Sequence, residues 1–155
     1  MGKPLNPNQS VAALKPQTEP LPEVSLVTCT ASAAGLNSKY ILFKNGADEA
    51  FYAWFNRGAA GVDPAPGGTG IEVAIGDSDT AAQVAAALTA AIDAHADFLA
   101  TRDGAVVQIT NAADGSATDT GAGDSGLTVS THKQGQAGDY YPSLNPGSIS
   151  NNPSV

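Results

Sequence analysis

The sequence predicts an α+β fold: an antiparallel-rich β-sheet packed against one α-helix, with an extended arm at each end of the chain. Three observations lead to this prediction. Short β-branched and aromatic runs recur between turn residues, one Ala-rich segment has helical spacing, and prolines recur through both ends. We therefore divide the 155 residues into an N-terminal arm (1–22), a globular α+β domain (23–134) and a C-terminal arm (135–155).

The predicted strands are short runs that favour a pleated, half-buried surface. The turn around Asn45-Gly46 separates two such runs, which predicts a hairpin. In chain order the predicted strands are Glu23–Ala31, Lys39–Lys44, Ala50–Asn56, Ile71–Ile75, Ala105–Thr110 and Leu127–Thr131.

One helix is predicted from Thr80 to Ala96. Thr80 and Gln83 have the spacing of a capping box, in which each side chain bonds the other residue's backbone N–H. Val84, Leu88 and Ile92 follow at four-residue intervals, so they share one face that can pack on the sheet. Asp77 and Asp79 precede the helix, and carboxylates at this end are stabilising because the helix dipole is positive there.

The two arms are rich in Pro, Asn, Gln and Ser, and they bury little apolar surface of their own. We therefore expect them to become ordered on a partner surface, either a neighbouring copy or another protein of an assembly. Their apolar and aromatic residues are the candidate interface anchors: Leu5, Val11, Leu14, Leu21, Tyr140 and Tyr141.

The charge of the chain argues against two classes of partner. Acidic residues exceed basic ones by 15 to 7, and the globular domain carries the whole excess. Such a domain repels phosphate backbones, so we expect no direct nucleic-acid binding. No apolar run approaches the roughly 18 residues that span a bilayer, and the N-terminus lacks the apolar core of a signal peptide. Synthesis in a host cytoplasm, with no membrane partner, is the corresponding expectation.

The aromatic strand Phe51–Phe55 raises the possibility of a contact site. Because side chains alternate along a strand, Phe51, Ala53 and Phe55 face one way and Tyr52 and Trp54 the other. One set belongs to the core. Tyr52 and Trp54 then form a possible exposed aromatic contact, with three open interpretations: packing within the chain, a protein interface, or a ligand.

Motifs that suggest chemistry lack the context that the chemistry requires. Residues 121–126 fit the pattern G-x-G-x-x-G, but a polar loop precedes them and a strand follows, whereas dinucleotide binding needs a strand before and a helix after. Gly123–Gly126 also resembles the nucleophile segment of trypsin-like proteases, but Leu127 replaces the expected next glycine. No acid, base and nucleophile converge in the pattern, so we expect no enzymatic activity, no catalytic residues and no cofactor.

Three further features have a structural and a functional interpretation. The Asp-rich loop 114–124 could supply oxygen ligands to calcium, or could simply be solvated; EF-hand spacing is absent. His95 and His132 lack Cys or carboxylate neighbours at zinc-like spacing, so we expect no metal site from them. Cys29 is the only cysteine, and it is expected as a small buried strand residue, in an intersubunit disulfide or as a reactive thiol.

Residues 40–135 resemble a small domain that recurs in virion structural proteins of tailed bacteriophages. The matching segments are Phe51–Asn56, Gly61–Ile75, Asp79–Leu88, Ala96–Phe98, Val106–Asn111, Gly126–Thr131 and Gln134-Gly135. The resemblance implies a virion structural protein that carries no catalytic residues. It does not imply a location, because members of the family occupy several places on the virion.

The expected function is therefore that of a non-enzymatic bacteriophage virion component. A capsid decoration (cement) protein, using its terminal arms to bind neighbouring subunits, is the leading interpretation. Its partners would be other virion proteins and copies of itself, in a homo- or hetero-oligomeric assembly. Two alternatives stay open: a tail, neck or fibre-associated subunit, and a carbohydrate- or cell-surface-binding module that uses Tyr52 and Trp54.

Overall fold

The computed structural model of the chain describes residues 19–32 and 35–138. Seven strands and one helix lie in this part of the chain. In order they are β1 (Val24–Thr28), β2 (Tyr40–Lys44), β3 (Ala50–Arg57), β4 (Thr69–Ile75), α1 (Ala81–Asp93), β5 (Phe98–Asp103), β6 (Val106–Asn111) and β7 (Thr128–Lys133).

The strands form two sheets that are mostly antiparallel. The larger sheet has the order β5-β6-β1-β7, and all its neighbours are antiparallel. The smaller sheet has the order β2-β3-β4; β2 and β3 form the predicted hairpin, and β4 lies parallel to β3. The predicted α+β class is confirmed. The single sheet of the prediction is instead two, because strand runs do not specify which distant strands will pair.

The two sheets and the helix share one hydrophobic core. Helix α1 contributes Val84, Leu88 and Ile92, which are fully buried as their spacing predicted. Phe55 and Val107 extend the core into the smaller and the larger sheet. Burial of each large apolar side chain contributes about 1.5–3 kcal/mol, so the helix face is a principal stabilising element.

The helix begins as predicted and ends earlier. Thr80 is the N-cap, and both bonds of the capping box with Gln83 are present. The helix stops at Asp93 rather than Ala96, because the Asp93 carboxylate accepts from the Ala100 N–H at 3.0 Å and the chain turns into β5. The two predicted acidic neighbours lie before the N-cap. Asp79 accepts from the Gly76 N–H at 2.7 Å, and Asp77 lies 3.5 Å from the Arg57 guanidinium.

Strand β5 (Phe98–Asp103) is absent from the sequence prediction. Its inward residues Phe98 and Ala100 are buried, whereas Leu99 between them is 60% exposed. It pairs with β6 across the turn at Asp103-Gly104, where Gly104 adopts a positive φ of 56°. The strand is short, and its last three residues, Thr101–Asp103, are polar, so the sequence of this segment alone predicts a loop.

The outer face of the larger sheet, here called the open face, has no described element packed over it. Helix α1 lies on the opposite, core side of β5 and β6. Leu99 and Thr101 of β5, Thr28 of β1 and Thr128 of β7 are all exposed. Strand register places the residues of this face in three rows: Leu99, Thr110, Val24 and Lys133; Thr101, Gln108, Leu26 and Ser130; Asp103, Val106, Thr28 and Thr128.

Candidate functional site

The two terminal segments meet at one end of the larger sheet, at what we call the arm junction (residues 20–23 and 134–138). Leu21 and Gln136 form an antiparallel bridge: the Leu21 N–H donates to the Gln136 carbonyl at 3.0 Å, and the Gln136 N–H to the Leu21 carbonyl at 2.8 Å. Strand β1 begins just after Leu21, and β7 ends just before Gln136. The junction therefore continues the pairing of β1 with β7, and the chain enters and leaves the globule at the same place.

Close backbone packing at the arm junction depends on glycine. The Leu21 carbonyl also accepts from the Gly115 N–H at 3.3 Å, which ties the junction to the loop after β6. A Cβ atom on Gly135 would overlap the Gly115 carbonyl oxygen, so only glycine fits there without a shift of the backbone. A Cβ on Gly138 would lie 2.9 Å from Pro20 Cδ, so the two segments are still in contact at the last described residues.

Glu23 is buried inside the arm junction. It is 3% exposed, and its carboxylate has two long side-chain contacts, from the Ser25 hydroxyl at 3.5 Å and the Gln134 amide at 3.4 Å. Burial raises the pKa of Glu23, and the negative charges of Asp119 and Asp48 raise it further, while the Ser25 bond lowers it. The junction thus encloses a carboxyl group that resists ionisation.

Of the predicted arm anchors, the structure places one. Leu21 is half-buried, and its backbone pairs with Gln136 of the same chain. Leu5, Val11, Leu14, Tyr140 and Tyr141 lie outside the described residues, so their role stays a prediction. Sequence reasoning did not find the pairing of the arms, since residues 21 and 136 are far apart in the chain and share no local motif.

The predicted exposed contact of Tyr52 and Trp54 is wrong. Tyr52 is 4% exposed and Trp54 is 8% exposed, so neither ring is free to stack on a ligand. The Tyr52 hydroxyl donates to both carboxylate oxygens of Asp63, at 2.9 and 3.0 Å. Tyr40 lies edge-on to Tyr52, with ring centroids 6.4 Å apart. Packing within the chain, the first of the three interpretations, is the one observed.

The loop between β3 and β4, residues 58–68, is pinned to the smaller sheet. Besides the bond between Asp63 and Tyr52, the Gly61 N–H donates to the Asn56 side chain at 2.9 Å. The Val62 N–H donates to the Ser38 hydroxyl at 2.8 Å. These contacts hold the loop across the outer face of the sheet and leave the Val62 side chain 74% exposed.

Residues of the Asp-rich loop 114–124 form hydrogen bonds with residues in and beside the smaller sheet. Asp124 accepts from the Lys39 ammonium at 3.1 Å and from the Tyr40 N–H at 2.9 Å. Thr118 donates its backbone N–H and its hydroxyl to Asp48, both at 2.9 Å. Within residues 19–32 and 35–138, no group of three or more His, Cys, Asp and Glu side chains is placed to hold a metal ion.

Cys29 and the two histidines have structural positions. Cys29 is buried, as the first of its three interpretations predicted, although it lies just after β1 and not within it; burial raises the pKa of its thiol to about 11. At neutral pH it is therefore a protonated thiol, which is a poor nucleophile. His95 lies with its ring centroid 5.0 Å from that of Phe51, and His132 is exposed on β7.

Comparison with protein families, with curated proteins and with solved structures found no match to this chain. In the described part of the chain, no helix is long and apolar enough to cross a membrane.

Proposed function

We propose that this chain is a non-enzymatic structural protein of a tailed-bacteriophage virion, and that it decorates the capsid by binding neighbouring subunits with its two arms. The observation that carries the proposal is the arm junction. Because Leu21 and Gln136 are paired, both arms start from one point on the globule. Two tethers with a common origin can reach the same neighbouring surface.

A shared origin strengthens binding without a large interface. Eighteen residues precede Glu19 and 17 follow Gly138 in the sequence. An extended residue spans up to about 3.5 Å, so each segment can reach roughly 60 Å. Once one arm is bound, the other is held at an effective concentration in the millimolar range. The apolar and aromatic anchors then offset the roughly 1–2 kcal/mol of backbone entropy that each ordered residue costs.

The resemblance of residues 40–135 to a virion domain supports the assignment to a phage particle. The acidic globule agrees with an outward-facing, soluble position that does not contact packaged nucleic acid. The carbohydrate-binding alternative required exposed rings at Tyr52 and Trp54, and their burial removes that site.

The test is truncation on each side of the arm junction. Deletion of residues 1–18, or of 139–155, keeps the paired segment from Glu19 to Gly138. Each deletion is expected to weaken binding to particles assembled without this protein, and the double deletion to abolish it. Unchanged occupancy after both deletions would exclude the arms as tethers.

A point variant with a matched control separates anchoring from arm length. Replacement of Val11 and Leu14 by Ser is expected to reduce occupancy, while Ala12→Ser with Ala13→Ser in the same segment is expected to leave it nearly unchanged. Copy number on native particles then tests the location: hundreds of copies fit a capsid lattice, whereas six or twelve fit a neck or tail ring.

A further inference from the structure

Glu23 is the only acidic residue that is buried within residues 19–32 and 35–138. It lies at the arm junction, between Leu21 of the bridge and the first residue of β1. Gly135 packs against it: a Cβ on Gly135 would lie 3.1 Å from the Glu23 nitrogen and 3.2 Å from its Cβ. Glu23 is therefore packed directly against the paired segments of the junction.

No described cation compensates a charge on Glu23. None of the ion pairs in the described ranges includes this residue. The charged groups that face it are both acidic: Asp119, from the loop after β6, and Asp48, from the turn between β2 and β3, whose own partner is Lys44 at 2.8 Å. An ionised Glu23 is thus both desolvated and repelled.

The polar neighbours of Glu23 do not replace the missing cation. Ser25 of β1 and Gln134 at the end of β7 make only the two long contacts. From β6, the Asn111 backbone N–H donates to the Glu23 carbonyl at 3.0 Å. The side-chain nitrogen of Asn111 is buried and has no hydrogen-bond partner among the described groups, so this amide does not stabilise the carboxylate.

We propose that Glu23 is an acid-sensitive latch, in which protonation of its carboxyl group tightens the arm junction and ionisation loosens it. The direction follows from the burial of an uncompensated charge. The raised pKa of Glu23 agrees with it, since a group with a raised folded-state pKa favours the folded junction below its unfolded value and loses that contribution as the pH rises through the folded value. Tightening is expected as the pH falls from 7 toward about 4.5.

Hydrogen exchange of single amides, measured by NMR on the free full-length protein at pH 7 and pH 5, tests the latch. The reporters are the Leu21 and Gln136 N–H groups of the bridge. After correction for the intrinsic exchange rate, their protection is expected to be higher at pH 5. The ratio of the two protection factors reports part of the pKa difference between the closed and the open junction, since the full tenfold per unit is reached only between pH values below and above both pKa values.

Glu23→Gln supplies the neutral, isosteric form. In this variant the two amides are expected to be strongly protected at both pH values. The Leu42–Gly121 bridge, which also has two reciprocal bonds of 2.9 and 2.8 Å, is the internal control and should not respond between pH 5 and 7. Glu72→Gln, at an exposed glutamate on the smaller sheet, is the matched control variant and should keep the wild-type response.

Two results would overturn the latch: equal wild-type protection at the two pH values, or a pH response that persists in Glu23→Gln. A carbon-13 titration of the Glu23 carboxyl in the wild-type protein covers the case in which the variant fails to fold, because a midpoint at or below the ordinary glutamate value would also reject the proposal. These measurements use the free protein. The latch does not depend on the proposed function, so a failure of the particle-binding test leaves it standing.

Discussion

The outer faces of the two sheets differ in whether another part of the chain covers them. On the smaller sheet, Tyr52 and Trp54 lie on the outer side and are both buried, and the loop after β3 reaches Tyr52 through Asp63. On the larger sheet, the open face has threonine and isolated aliphatic residues, and no described element covers it. Large aromatic side chains need cover, whereas a face of small polar and β-branched residues tolerates water. The cover is therefore built where the aromatic area is largest.

Among the substitutions that test this difference, Trp54→Ala is expected to lower the free energy of unfolding most. Truncation of a buried tryptophan costs about 3–5 kcal/mol, because the cavity is only partly refilled. The matched change on the open face is Leu99→Ala, at a residue that is 60% exposed. It should change the free energy of unfolding by less than about 0.5 kcal/mol. Urea unfolding of both variants measures the difference, and similar losses would mean that the two faces are equally covered.

Gly70→Ala should come next in size. Gly70 of β4 lies beside Tyr52 of β3, and an added Cβ would lie 2.6 Å from the Tyr52 Cζ atom. The ring has to move off the sheet, and overpacking of this kind costs about 1–3 kcal/mol. Thermal unfolding checks the size. Gly70→Ala combined with Tyr52→Ala should show less than the sum of the single effects, since the clash is then absent; strict additivity would contradict the geometry.

Tyr52→Phe keeps the ring and removes only the hydroxyl. A hydrogen bond to a charged group contributes about 1.5–3 kcal/mol, and partial exposure of Asp63 places this one at the lower end. Burial and the Asp63 carboxylate raise the pKa of Tyr52. The wild-type protein should therefore lose stability as the pH rises above 10 through the folded value, and the variant should lose less. Limited proteolysis of loop 58–68 should be faster in the variant; an unchanged cleavage rate would argue against the pinning of this loop.

The smallest effect is expected from Asp48→Asn, and it depends on pH. Lys44 and Thr118 lower the pKa of Asp48 to about 2. A depressed folded-state pKa gives stability that is present above the unfolded value of 3.8 and lost as the pH falls through about 2. Stability curves of the wild type and the variant should therefore differ at neutral pH and converge in strong acid. Parallel curves down to pH 2 would show that the contacts with Lys44 and Thr118 do not lower the pKa of Asp48 in the folded protein.

Local signals predicted much of the fold. The capping box of Thr80 and Gln83 and the spacing of Val84, Leu88 and Ile92 lie within one segment, so the helix was predictable from it. The β2–β3 hairpin was equally local. The parallel pairing of β3 with β4 was not, because it depends on a loop path rather than on either strand.

The candidate site was less predictable than the fold. The cover over Tyr52 depends on Asp63, which lies across a loop, and on Gly70, whose missing side chain leaves room for the ring. Neither residue signals this role in the sequence. The arm junction depends on a backbone bridge between residues 21 and 136, and backbone bonds carry no side-chain signature. Long-range pairing, rather than residue type, made both features inaccessible to sequence reasoning.

The Leu21–Gln136 bridge has one consequence for engineering. Because Gly138 and Pro20 lie in contact, a short peptide can join them and make the described globule a covalent circle. New ends can then be cut at Asp103-Gly104, a tight turn far from that bridge in sequence. In such a permutant the termini, and any protein fused to them, would lie at the opposite end of the larger sheet, and the arm junction would be a closed loop.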